Sequence, residues 1–247
     1  MGSPALEVRA LEKRYRSWPA RPRTVLAGIE LALEAGESFG LIGPNGSGKS
    51  TLLSILAGVQ RASSGTVRVF GEPIATRAAR ARIGFAPDGF PFPPELTPRA
   101  ALAILGALHG APRAAHRTAV ERMLARVGLA AAAREPFARF SLGMRRRFAL
   151  GQAFLHGAEL LLFDEPTAGL DAEGYGVLDE LLREARARGA TLLIASHVQE
   201  DLREHCPRAG VLVGGSLALQ GESSALLGDA ARLRALYREC ASVERPR

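Results

Sequence analysis

Lysine is almost missing from this chain. Lys13 and Lys49 are the only two among 32 basic residues, so nearly all the positive charge is arginine. A chain that uses arginine almost everywhere and keeps a lysine at 49 points to a position that needs a compact ammonium rather than a planar fork. Cysteine is equally scarce: Cys206 and Cys240 supply neither a disulfide framework nor the paired spacing of a zinc site, and read as incidental reduced thiols. No apolar run approaches the ~18–20 residues that cross a bilayer, since the best stretches, 160–163 and 191–195, are strand-sized. The first ten residues alternate Glu7 and Arg9 with Leu6 and Val8 and lack the apolar core of a secretion signal, which leads to the expectation of a cytoplasmic chain. An Asn-Lys-x-Asp guanine-reading motif is also missing, which argues against a GTPase.

What is present is enough for one large core, or a core with a smaller lobe, at 247 residues and 47% hydrophobic content. A net charge of +7 attracts nucleic acid, anionic headgroups or acidic proteins alike and does not choose among them. Apolar alternation at Leu6, Val8 and Ala10 and again over 25–33 predicts early strands separated by a Pro- and Arg-rich turn at 17–23. A buried strand at 38–42, a glycine-rich turn and a helix over 49–57 follow, then strands at 66–70 and 82–86. From about 97 to 157 the period becomes helical. Strand and helix alternate again after 159: strands at 160–164, 191–195, 209–213 and 216–220, helices at 173–188 and 199–205, and a short helical tail.

Gly43-Pro44-Asn45-Gly46-Ser47-Gly48-Lys49-Ser50-Thr51 satisfies the phosphate-binding P-loop pattern of a glycine, four residues, then Gly-Lys-Ser. The glycines let successive amides converge on phosphate oxygens, and the helix that begins near Lys49 adds its positive end. Lys49 is expected to neutralise the β- and γ-phosphates of ATP, and Ser50 to ligate Mg2+. A chance match in a chain this long has a probability on the order of one per cent, and its place between a strand and a helix lowers that further. The run Leu160-Leu161-Leu162-Phe163-Asp164-Glu165 supplies the other half. Its apolar residues bury a strand that delivers Asp164 to the carboxyl edge of a parallel sheet, as a magnesium ligand, with Glu165 beside it as general base toward water.

Several ATPase families share those two elements. Phe140-Ser141-Leu142-Gly143-Met144 resembles the signature of ABC (ATP-binding cassette) transporters, 164–171 resembles that family's Walker B segment running into its D-loop, and Ser196-His197 resembles its switch histidine. Tyr15 sits where the family places an aromatic that stacks on adenine. The resemblance covers nearly the whole chain and weakens beyond about residue 222. It implies an α/β fold: a P-loop NTPase core of mainly parallel sheet, an antiparallel β subdomain and a helical signature subdomain at about 95–157, all within 1–222, followed by a helical tail at 223–247. It also implies that two such domains pair head to tail as a homodimer or heterodimer, with ATP between one P-loop and the other domain's Ser141, Leu142, Gly143 and Met144. Asp171 would couple the two sites, and His197 would contact the γ-phosphate or the attacking water. Integral membrane transporter subunits are the implied partners, placing the chain on the inner face of the cell membrane; no direct nucleic-acid contact is expected. Taken singly, Ser141 reads as an ordinary helix cap, His197 as a surface histidine and Asp171 as a turn residue.

Two departures stand out. Leu142 and Met144 replace a glycine and the glutamine of the signature, a drift associated with export-type members. In 83–88 (Ile-Gly-Phe-Ala-Pro-Asp), Asp88 stands where the family's Q-loop has glutamine. A carboxylate there still serves as a magnesium ligand, but it is shorter and adds negative charge beside a triphosphate. The aromatic and proline stretch 89–94 reads as an exposed loop, either simply stiff or an anchor for a membrane subunit. The competing readings are a soluble ABC-type ATPase acting on DNA or ribosomes and an ATP sensor that scarcely hydrolyses. The missing coiled coil and missing second P-loop oppose the first; Asp88 favours the second, and Glu165 and His197 oppose it.

Overall fold

The computed structural model describes residues 3–16, 22–109, 113–228 and, beyond these, 233, 235, 237 and 238. Two sheets organise it. The larger has six strands in the order β10 (Ser216–Glu222), β9 (Arg208–Val213), β3 (Ser38–Ile42), β8 (Thr191–Ser196), β7 (Leu160–Asp164) and β6 (Ile83–Ala86). All neighbours are parallel except β10, which returns antiparallel on β9. The smaller is antiparallel, with β2 (Arg23–Leu33), β1 (Leu6–Tyr15), β4 (Ser64–Val69) and the short β5 (Glu72–Pro73) in that order.

The apolar runs are continuous because the parallel sheet is covered on both faces, and successive side chains leave to opposite sides. On β7, Leu160 and Leu162 enter one core and Leu161 and Phe163 the other. On β8 the division is Leu193 and Ala195 against Leu192 and Ile194. The first core lies between the large sheet, the antiparallel sheet and helix α1 (Lys49–Leu56). The second lies under the helices α3 (Pro98–His109), α4 (Arg113–Arg126), α5 (Leu142–Phe154), α6 (Ala172–Ala187) and α7 (Gln199–His205). No helix of the described residues is long and apolar enough to cross a membrane.

The structure departs from the sequence reading in three places. β1 runs on to Tyr15, past the alternation at Leu6, Val8 and Ala10 that announces it, because irregular pairing around Ala10, whose φ is 46°, re-aims the strand without ending it. The second is a short helix, α2 (Arg77–Ala81), capped by Thr76, whose hydroxyl accepts from Ala79 N; with β5 it fills the stretch between β4 and β6. At five and two residues, these elements are too short to show a period. The third concerns Phe90 and Phe92, which are half-buried rather than exposed. They meet Phe137 and Phe148 with ring centroids 4.7–5.5 Å apart for Phe90–Phe137, Phe92–Phe137 and Phe92–Phe148. Edge-to-face packing on residues some 50 positions later is invisible to local patterning. Most of the turn at 17–23 lies outside the described residues, as does Cys240. Cys206 is buried in the core, which pushes its thiol up to about 12, so it is inert. Helix α8 (Ser223–Leu227) follows β10 directly.

Candidate nucleotide site

β3 ends in the bend at 43–48, and the local chemistry accounts for its shape. A Cβ on Gly43 would lie 2.2 Å from Leu212 O, so only glycine lets the loop pass β9. Gly46 and Gly48 have φ of 82° and 106°, the left-handed region that side chains resist. Around Gly46 nothing lies within 4 Å of a would-be Cβ, so its backbone faces open space. Gly48 caps α1 without any side-chain bond, which leaves the first amides of that helix to an incoming anion. Lys49, 6% exposed, folds back to donate to Gly43 O at 2.7 Å, a position a phosphate oxygen would contest. The Ser47 hydroxyl is buried and unpartnered.

β7 and β8 place the acids beside this loop. Asp164 is 3% exposed, and its Oδ1 has no partner. Burial pushes its carboxyl above the usual carboxylate range; the Ser50 side chain pulls it down, while Asp88 and Glu165 push it further up. An orphaned buried carboxylate oxygen next to a serine hydroxyl is the donor set that a hard divalent cation completes. Glu165 follows with φ of 51°, a left-handed conformation costing about 1–2 kcal/mol for a residue with a side chain. That turn swings its carboxylate back under the P-loop. Oε1 lies 3.5 Å from Lys49 Nζ; Oε2 accepts from His197 Nδ1 at 2.8 Å, from His197 N at 3.3 Å and from Ser196 Oγ at 3.3 Å. Ser196 also accepts from Val198 N, fixing the turn after β8.

Four sequence-predicted residues lie together here: Lys49, Asp164, Glu165 and His197. Ser50 joins them through Asp164. Tyr15 sits at the end of β1, 40% exposed, its hydroxyl donating to Gln60 Oε1 at 2.7 Å and Lys13 Nζ 4.9 Å from its ring centre. Its strand partner is Arg23 of β2, whose neighbours Val25 and Leu26 abut Gly48.

Outside the loop at 43–51, the remaining predicted residues make their hydrogen bonds elsewhere. Ser141 is the N-cap of α5, accepting from Met144 N at 3.2 Å, and Leu142 is 62% exposed beside Gly169. Asp171 is the N-cap of α6, accepting from Gly174 N at 2.8 Å. Asp88 lies exposed in the loop after β6, and Arg146 of α5 binds both its carboxylate and its main-chain oxygen. Sequence reasoning missed Arg146, although the Arg145-Arg146-Arg147 run directly after the signature was its signal. It also assigned no role to Ser196, which only the fold brings under Glu165.

The family model described as "ABC transporter" matches residues 26–168. The chain is 36% identical over 229 residues to the Nod factor export ATP-binding protein I of Paraburkholderia xenovorans (strain LB400), covering 92% of this chain and 74% of that one. It is 34% identical over 206 residues to the linearmycin resistance ATP-binding protein LnrL of Bacillus subtilis (strain 168), covering 83% and 66%. Among solved structures, the ATP-binding subunit of an ABC transporter superposes with a TM-score of 0.82 at 27% identity, covering 96% of this chain and 99% of that one. A dimeric ATP-binding cassette in a post-hydrolysis state, bound to ADP and Pi, shares the fold with a TM-score of 0.80 at 22% identity, covering 88% and 98%. With the P-loop, the buried acids and His197 gathered at one end of a parallel sheet, the chain belongs to the ABC transporter family and is one of its ATP-binding, ATP-hydrolysing subunits.

Proposed function

We propose that this chain powers an export-type ABC transporter, closing over ATP as one of two paired ATP-binding subunits and driving separately encoded membrane subunits. The linked side chains Lys49–Glu165–His197, the first two buried and the imidazole at the surface, carry the reading. Glu165 is held between a cation that a triphosphate would recruit and an imidazole that orients it, so ATP entering the P-loop draws Lys49 away and leaves the carboxylate as base toward water. Ser50 and Asp164, with Asp88 nearby, are the residues that would hold magnesium, which supplies charge neutralisation at the phosphates. The orphan Oδ1 of Asp164 supports this fit.

Gly43, Pro44, Asn45, Gly46, Ser47, Gly48 and Thr51 would complete the phosphate cradle, and Tyr15 would stack on adenine. Ser141, Leu142, Gly143, Met144 and Asp171 would act across the dimer. Their position away from the P-loop cluster of their own chain supports action in trans. Residues 1–222 form the ATP-binding unit in this reading, with the helical part at about 95–157, and 223–247 the tail.

A groove of about 900 Å³ between α1, α2 and α3 suits a helix of a membrane subunit. Val59 and Leu108 stand at it 69% and 66% exposed, above Ile83, Leu105, Phe92 and Leu155. Docking there would hold the chain at the inner face of the membrane. The test is magnesium-dependent ATP turnover against protein concentration, for the native chain and Glu165→Gln. Turnover per chain that rises with concentration, with a mutant that is inactive yet dimerises with ATP, supports the reading; ATP binding without turnover or dimer at any concentration, alone or with the membrane subunits, rejects it.

A further inference from the structure

Three consecutive arginines lie within the first two turns of helix α5, and each reaches a different neighbour. Arg145 donates to Phe137 O at 3.3 Å and lies 5.5 Å from the Phe90 ring centre. Arg147 pairs with Glu173 of α6 at 3.1 Å. Arg146 alone turns toward the nucleotide side, where its two terminal nitrogens grip Asp88 by main-chain oxygen and by carboxylate. The two ends of that pair are unequal. The Arg146 side chain is 13% exposed and its Nε is buried without a partner, whereas the Asp88 side chain is 51% exposed. The guanidinium is therefore fixed, and the carboxylate is the half that can turn. Its charge already reaches Asp164 across the site.

We propose that Arg146 is a positioning residue for the nucleotide site: it holds the Asp88 carboxylate against α5, and a magnesium-loaded nucleotide loosens that tie by competing for the same carboxylate. A carboxylate turning toward a divalent cation gives up its one bond to Arg146 and leaves only the bond to the main-chain oxygen, and two cationic groups sharing the carboxylate repel each other. With glutamine at 88 there would be no such contest, because a neutral amide carries no charge for either claimant. Asp88 thus replaces a neutral contact by a charge-matched one whose strength depends on what the site contains. The inference rests on the ATP-binding reading above.

The test is a double-mutant cycle on the full chain with Asp88→Asn, Arg146→Gln and both changes. It measures binding of a fluorescent ATP analogue while magnesium is titrated. Arg146→Gln should lower the magnesium concentration at half-saturation about fivefold, the lower end of coupling between sites. In the Asp88→Asn background the same change should do nothing. A shift of equal size in both backgrounds, or none in either, overturns the proposal. Should Arg146→Gln fail to fold, Arg146→Lys keeps the charge without the fork and should shift in the same direction. Amide exchange gives a readout that hydrolysis does not touch: magnesium nucleotide should speed exchange in the first turn of α5 in the native chain and leave it unchanged in Asp88→Asn. A native chain that binds no nucleotide sinks the ATP-binding reading itself, whereas binding without Arg146–Asp88 coupling sinks this inference alone.

Discussion

Glu165 and His197 are joined twice, by a 2.8 Å bond from the imidazole Nδ1 and a 3.3 Å bond from the His197 amide, both to Oε2. The histidine thus orients one carboxylate oxygen, and the other is left to face Lys49 at 3.5 Å. Replacing Glu165 by Gln keeps the shape and removes the basic oxygen. Turnover should fall by about 10²–10⁴, the usual contribution of a general base, with ATP affinity retained. His197→Ala should also slow turnover, through lost orientation. Steady-state phosphate release, with nucleotide binding measured separately, checks both.

Ser141 caps α5 and is also proposed to act on the partner's nucleotide, and two substitutions separate these roles. Ser141→Ala should lose about 1 kcal/mol of stability along with turnover. Ser141→Asp caps equally well but sets a negative charge against a γ-phosphate, so denaturant unfolding should look native while turnover is lost. Normal turnover in the aspartate variant would reduce Ser141 to a cap.

Gly43 and Gly46 should respond differently to alanine. At Gly43 the new methyl would sit 2.2 Å from Leu212 O, so β3 and β9 cannot both keep their places, and unfolding should shift by more than about 2 kcal/mol. Gly46→Ala meets no atom within 4 Å and is strained only by its φ of 82°, costing about 1 kcal/mol, yet it narrows the space facing a phosphate. Its thermal midpoint should move little and its ATP affinity should drop.

His156 is the internal pH probe. Its Nε2 donates to Ile83 O at 2.9 Å, and its ring lies 3.8 Å from that of His109. Burial first, then the neighbouring His109, pushes His156 down to about 4. The folded state resists protonation that the unfolded chain accepts. The stability from this group is therefore complete above the ordinary value near 6.5 and is lost as pH falls from there toward 4. The full loss is on the order of 3 kcal/mol. His156→Gln should flatten the difference between urea midpoints at pH 7.5 and pH 5 relative to the native chain, a window that takes in the upper part of the depressed range.

The phosphate loop was readable because its chemistry is local. A glycine at each tight bend, a lysine in an arginine-rich chain and a strand before a helix are all properties of neighbouring residues. The apolar run ending in Asp164-Glu165 was readable for the same reason, since a strand buried on both faces carries no polar interruptions. β5 and α2 escaped because they are shorter than any period that would reveal them.

Residue types and local spacing determined the family, the class of ligand and the order of the longer strands and helices. Tertiary structure alone decided which side chains meet. Phe90 is turned inward by Phe137 and Phe148, Ser196 is brought under Glu165 by the pairing of β7 with β8, and Asp88 is claimed by Arg146 some 58 positions later. Local propensity acts through bonds and the first turn of chain, whereas desolvation and ion pairing act through space. Which charge answers which is therefore settled only when the chain has closed on itself.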